Sequence, residues 1–130
     1  MKMKNIEIIN HINNLEEFIK KDTQVPYKVR RAIVKNRQAL IGEYNIYNEE
    51  RVKLLDSLDK KNEADMTDEE LEVYREKKEE VNAKIRDMLN EEVDIDIIKI
   101  SESNLNIDGL TVKDEITLEF MVADEEEKKE

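Results

Sequence analysis

The sequence predicts a predominantly α-helical α+β fold: a long antiparallel helical hairpin, an N-terminal helix, and a small β element formed near the chain ends. Three observations predict it. Only two Gly and one Pro interrupt 130 residues, so the chain has few internal stops and favours long helices over a many-turned β fold. Apolar residues recur at steps of three and four through most of the chain, the helical period. Near residue 93 the period changes to two, which is the strand signature.

The opening "MKMKN" alternates apolar and basic residues and reads as a short edge strand. Ile6, Ile9, Ile12, Leu15 and Ile19 then mark one face of a helix over about 5–20. Asn5 can cap its start, and "KKDTQ" ends it. Pro26 suits the first turn of a second helix, where its missing N–H is not needed. Thr23 or the residues after it can supply the cap. This helix runs to about residue 60 on a sparse stripe of Val29, Ile33, Leu40, Tyr44, Tyr47, Leu54 and Leu58. Ile41 and Leu55 widen the stripe. Gly42 is its one interruption and suggests a close crossing or a slight kink.

"KKNEADM" is a polar turn, and "TDEE" is a capping box in which Thr67 caps the next helix while Glu70 reaches back. That helix, about 68–90, carries a narrow seam of Leu71, Tyr74, Val81, Ile85 and Met88, with Lys78 at a skipped position. A short polar turn between two long helices makes them antiparallel. Val93, Ile95 and Ile97 form the apolar side of a strand over about 93–100. Asp108-Gly109 is a turn, and Thr111 with Asp114 signals a cap. Residues 112–122 read as a short helix, with a second strand as the alternative. One domain over 1–123 follows, and the acidic stretch 124–130 reads as a disordered tail.

Composition excludes several functions. Without cysteine there is no disulfide, thiol chemistry or Cys-ligated metal. The N-terminus lacks the apolar run of a signal peptide, and no segment approaches a membrane span. The reducing cytoplasm is the expected location. His11 is the single histidine and sits among Asn10, Asn13 and Asn14, which suggests an exposed polar residue. Asp94 and Asp96 suggest the wet face of a strand, with a hard-cation site as the less favoured reading. No phosphate loop or nucleophile elbow is present. An enzyme is therefore not expected, and neither a cofactor nor a metal is called for.

Charge is the most informative property. Acids number 33 and bases 22, for a formal charge of −11. Such a surface disfavours direct nucleic-acid binding, because phosphates are repelled. It also permits mimicry of a nucleic acid. Yet between Asp22 and Glu43 there is no acid and there are five bases: Lys28, Arg30, Arg31, Lys35 and Arg37. On a helix Lys28, Arg31 and Lys35 form one row and Arg30 and Arg37 a neighbouring one, with Ile33 and Val34 between and Tyr27 at the start. Such a row can clamp a phosphate or a carboxylate. It can also meet acids of a facing helix. Antiparallel packing suggests Glu91, Glu92, Asp94 and Asp96 as its counter-charges. These bases with Tyr27 form the candidate ligand- or partner-binding surface. With 38 % hydrophobic residues against 42 % charged and no Trp, the core is lean, and the narrow seam suggests a homo-oligomer.

Several segments resemble small uncharacterised phage and prophage proteins of Gram-positive bacteria. They are the opening "KNIEIINHINNL", a P-x-K-x-x-x-A-I-x-K-N run at Pro26 to Asn36, and a Y-x-x-E-R-x-K-L run at Tyr47 to Leu54. The strand-like E-V-D-I-x-I-x-K-I at Glu92 to Ile100 and the terminal Phe120-Met121 complete the pattern. The family has no assigned catalytic residues. The resemblance implies a phage setting and a non-enzymatic role. Together with small size and high charge it suggests an inhibitor of a host antiviral defence. Such an inhibitor would bind a host protein, mimic nucleic acid or sequester an anionic small ligand. An assembly or adaptor protein of virion morphogenesis, engaging a phage protein, is the alternative.

Overall fold

A computed structural model describes residues 1–123. The acidic tail expected at 124–130 lies outside the described residues. The chain runs β1 (Lys2–Lys4), α1 (Asn5–Lys20), α2 (Tyr27–Asp56), α3 (Asp68–Asn90), β2 (Glu92–Asp94) and α4 (Val112–Leu118). Short 3-10 turns cover Glu63–Asp65, Glu102–Leu105 and Glu119–Met121. The expected α-rich α+β architecture is found. Among the described residues no helix is long and apolar enough to cross a membrane.

The two strands pair antiparallel with Lys2 opposite Asp94, Met3 opposite Val93 and Lys4 opposite Glu92. Alternation explains this register. Each base faces an acid on the wet side, and Met3, 3 % exposed, turns into the core beside Val93. The strand expected over 93–100 is shorter than its apolar pattern. The ladder proper ends at Asp94, Ile95 still exchanges hydrogen bonds with Met1 at 2.9 and 3.0 Å, and Ile100 forms a parallel bridge to Val122. β1 itself has three residues to offer. Between these points Ile98 is held by Asn36 of α2. Its Nδ2 donates to the Ile98 carbonyl at 2.9 Å, and its Oδ1 accepts from the Ile98 N–H at 2.7 Å. A side-chain amide thus replaces the missing strand.

Val112–Leu118 is an α-helix continued by the 3-10 turn Glu119–Met121, and Val122 joins the bridge to Ile100. Thr111 Oγ1 accepts from the Asp114 N–H at 3.1 Å, and the Asp114 carboxylate accepts from the Thr111 N–H at 3.0 Å. This reciprocal cap settles the helix against the strand alternative. Thr67 likewise caps α3 by accepting from the Glu70 N–H at 3.2 Å. The other half of that box is corrected: the Glu70 carboxylate turns to Lys61 Nζ at 3.1 Å. Asn5 does not cap α1. Its Nδ2 donates to the Met88 carbonyl at 2.8 Å and its N–H to the Glu91 carbonyl at 3.1 Å, fastening the start of α1 to the end of α3. The Glu7 carboxylate takes the Lys4 N–H instead, at 3.0 Å. Pro26 stands just before α2 with its carbonyl accepting from the Arg30 N–H, and no side chain caps that helix.

The core joins Ile8, Leu15 and Phe18 of α1 to Val29, Ala32, Ile33 and Leu40 of α2, closed by Ile95, Ile100, Leu118 and Met121. The face of α1 is rotated from the expected stripe. Ile6 and Ile19 are exposed, while Ile8 and Phe18 are buried. α1 is apolar on more than one side, and α2 and α4 together select which side is covered. Beyond Leu40 the packing thins. Tyr47 on α2, Val81 on α3 and Met66 in the connection between them are the buried residues of that half of the hairpin. Lys78, in the skipped seam position, lies over the Tyr74 ring at 5.8 Å.

Gly42 does not mark a close crossing. α2 continues through it, and a Cβ there would meet nothing within 4 Å. Gly42→Ala should therefore raise stability by about 0.5–1 kcal/mol, read from urea unfolding. Asn36→Leu should lower it by about 3 kcal/mol in the same assay, because both polar groups of Ile98 lose their partner inside the fold.

Candidate binding site

The end of α1 and the start of α2 are joined by a short link in which Asp22 adopts a left-handed conformation, φ 52°. That turn reverses the chain and leaves a cleft of about 360 Å³ between the two helices. Its floor is apolar, made by Phe18, Ile19, Val25, Ile33 and Val34. Arg30 and Arg37, one helical row, stand along the α2 side. Glu16 and Asp22 face them from the α1 side.

The five bases therefore divide. Arg37 is paired: its guanidinium bonds Glu16 Oε1 through Nε at 2.7 Å and through a terminal nitrogen at 2.6 Å. Arg30 lies over the Tyr27 ring, 5.6 Å from its centroid, and Tyr27 is 64 % exposed. At that distance the ring attracts the guanidinium through a cation–π contact. Lys28, Arg31 and Lys35 form the outer row, exposed and in no ion pair among the described residues. Val34 remains between the rows and is exposed, whereas Ile33 has turned into the core.

The expected counter-charges are corrected. Glu91, Glu92, Asp94 and Asp96 form no ion pair with the five bases. Asp94 Oδ1 takes the N-terminal ammonium at 3.2 Å, and Asp94 and Glu92 lie opposite Lys2 and Lys4. Helix lengths explain this. α2 has 30 residues and α3 has 23. The hairpin starts at the far end of α2, so α3 runs out where Glu91 and Met88 meet Glu43 and Tyr47. α1 covers the start of α2, and its Glu16 supplies the one counter-charge. That pairing had no signal in sequence spacing.

Two further polar contacts hold the frame of the cleft. Lys21, at the end of α1, bonds both oxygens of buried Asp114 at 2.7 and 2.8 Å. Burial alone would push that carboxyl up. The Lys21 ammonium and the Thr111 cap outweigh it and hold Asp114 below the ordinary carboxylate value. His11 is not the exposed residue expected. It is half-buried, its ring stacked on Phe120 with centroids 4.2 Å apart. Burial lowers its pKa, and the nearby Glu7 only partly opposes this. Its position makes His11 a packing residue that ties α1 to the C-terminal turn.

No protein-family model, curated protein or solved structure matches this chain. The cleft is read from its own chemistry: an apolar floor, two guanidiniums on one edge, and three exposed cations on the adjoining face that form no ion pair among the described residues.

The His11 stack makes a checkable pH dependence. The unfolded chain protonates His11 at its ordinary value of 6.5, whereas the folded chain resists the proton. Its contribution to stability is full above that value and falls as pH drops through it. His11→Phe retains a ring against Phe120 and should flatten the slope between about pH 7 and 5, measured by urea unfolding at each pH.

Proposed function

We propose that this chain is a non-enzymatic, phage-encoded interaction protein that holds an anionic ligand on the basic start of α2. In this reading it acts in the host cytoplasm as an inhibitor of an antiviral defence, by sequestration. One observation carries the binding reading. Arg30 and Arg37 border an apolar cleft, while Lys28, Arg31 and Lys35 beside it are exposed and form no ion pair among the described residues.

The ligand that fits carries phosphate or carboxylate groups and an apolar or aromatic part. The charged portion meets the guanidiniums, and the apolar portion covers Ile19, Val25 and Val34 or stacks on Tyr27. A long polyanion fits less well, because the remaining surface of a −11 chain repels it. The phage setting comes from the sequence resemblance alone.

A second reading, an adaptor in virion morphogenesis, draws on Ile46, Val52, Leu55 and Val73. These apolar side chains are exposed along the thinly packed half of the hairpin. Recovery with a capsid or tail protein would favour it. Nucleic-acid mimicry by the acidic face of α3 would show as partner binding that is lost when charges on α3 are reversed.

Native mass spectrometry of the protein purified from its host cell tests the first reading. An added mass of a few hundred daltons per chain is expected, with affinity reduced about tenfold or more by Arg30→Glu or Arg31→Glu, each in a charge-assisted contact. A clean chain mass, or an added mass indifferent to both substitutions, would remove the anion site.

A further inference from the structure

The C-terminal segment builds a second groove of opposite character. Leu105, Ile107 and Leu110 form one wall, and Val112 and Ile116 of α4 form the other, around about 730 Å³. Glu102, Glu115 and Glu119 stand along it, and no Lys or Arg lines it. α4 is divided lengthwise. Asp114, Thr117 and Leu118 are buried toward the body of the protein, and Lys21 anchors Asp114 there. The outward side carries Val112 and Ile116, 73 % and 64 % exposed, in one i,i+4 row. Glu115 and Glu119 make a parallel i,i+4 row beside it.

The start of α2 repeats this arrangement with the sign inverted. Tyr27 and Val34, 64 % and 47 % exposed, stand beside the cations of Arg30, Arg31 and Lys35. Each face has an apolar row that water covers and a charged row of one sign. Among the described residues, Glu115 and Glu119 form no ion pair, and neither do Arg30 and Arg31. A chain at −11 repels its own copies at long range. Association of two copies therefore needs a local contact between opposite charges, and this is the contact available.

We infer that the acidic groove of one copy receives the basic face of α2 from a second copy, Glu115 and Glu119 meeting Arg30 and Arg31 while Val112 and Ile116 cover Val34 and Tyr27. The inference rests on the reading of that basic face as an anion-binding surface, and it names a carboxylate-bearing protein groove as one occupant. The contact joins two different patches, so it is heterologous. A small anion that takes the guanidiniums competes with it.

Light scattering coupled to gel filtration tests this, with native mass spectra of the same samples. At an ionic strength of about 0.05 M the wild-type chain should give at least twice the 15.4 kDa chain mass, falling to the chain mass at about 0.5 M as exposed charges are screened. The double variants Arg30→Glu with Arg31→Glu, and Glu115→Lys with Glu119→Lys, should each stay monomeric at low salt. Mixed in equal amounts they should associate again, because the two reversed faces match. Circular dichroism shows that each variant is folded; all four positions are exposed. A wild-type monomer at low salt with no added mass would overturn the inference. So would association that survives either double variant, or a mixture that stays monomeric. The anion reading is scored separately. If wild type retains an added mass that only the arginine variant loses, the anion site stands. Self-docking is then scored on wild type freed of that mass by dialysis at high salt: a chain still monomeric at low salt sinks self-docking and leaves the anion site.

Discussion

Asn36 holds the C-terminal third of this protein in place. Residues 92–123 contain a three-residue strand, one isolated bridge, two 3-10 turns and a seven-residue helix. Such a segment cannot satisfy its own backbone, and a buried N–H or C=O without a partner costs far more than a hydrogen bond contributes. The Asn36 amide is 1 % exposed and offers a donor and an acceptor in the spacing of a strand neighbour. An apolar side chain could fill that volume but could not set the register. With Ile98 fixed, Ile95 and Ile100 turn inward. The Ile100 N–H then reaches the Met121 carbonyl at 2.8 Å, and its carbonyl accepts from the Ala123 N–H at 2.8 Å. The last turn so placed carries Phe120 to His11, and α4 brings Asp114 to Lys21.

The same geometry distributes charge. α1 is pinned at its start to the end of α3 through Asn5 and at its end to α4 through Lys21. Held at both ends, it covers the first half of α2 and brings Glu16 into an ion pair with Arg37, with Asp22 across the same cleft. Glu92 and Asp94 lie at the strand pair instead. A positive surface thus survives on a negative chain, since among the described residues Glu16 forms the one ion pair with the five bases. Its field is local, since charges more than about a Debye length away, roughly 10 Å at 0.1 M salt, are screened. Net charge governs solubility and long-range approach, whereas contacts are decided patch by patch.

The hairpin beyond Leu40 has a different economy of packing. One buried residue on each helix, Tyr47 and Val81, anchors it. The rest of its stability must come from capped ends and helical propensity, as Thr67 and the acids of the first turn of α3 illustrate. The buried core is concentrated where α1, α2 and α4 meet. The basic cleft is lined by core residues Phe18 and Ile33, and the acidic groove borders the outer side of α4.

The sequence by itself determined the kinds of element and nearly all their limits. Caps, helical period and strand alternation are read by residues within four positions of one another, so they act before any tertiary contact forms. Thr67, the Thr111–Asp114 box, the alternation of Lys2 to Lys4 and the run free of acids were all legible for that reason. The tertiary structure decided which side of each element faces inward and which charge meets which. Ile8 was chosen over Ile6, Asn36 was drawn into the core, His11 was laid on Phe120, and Arg37 was given to Glu16 in place of the acids after α3. Each of these depends on the area one element buries against another far away in the chain, and on helices of unequal length, quantities that no local window contains.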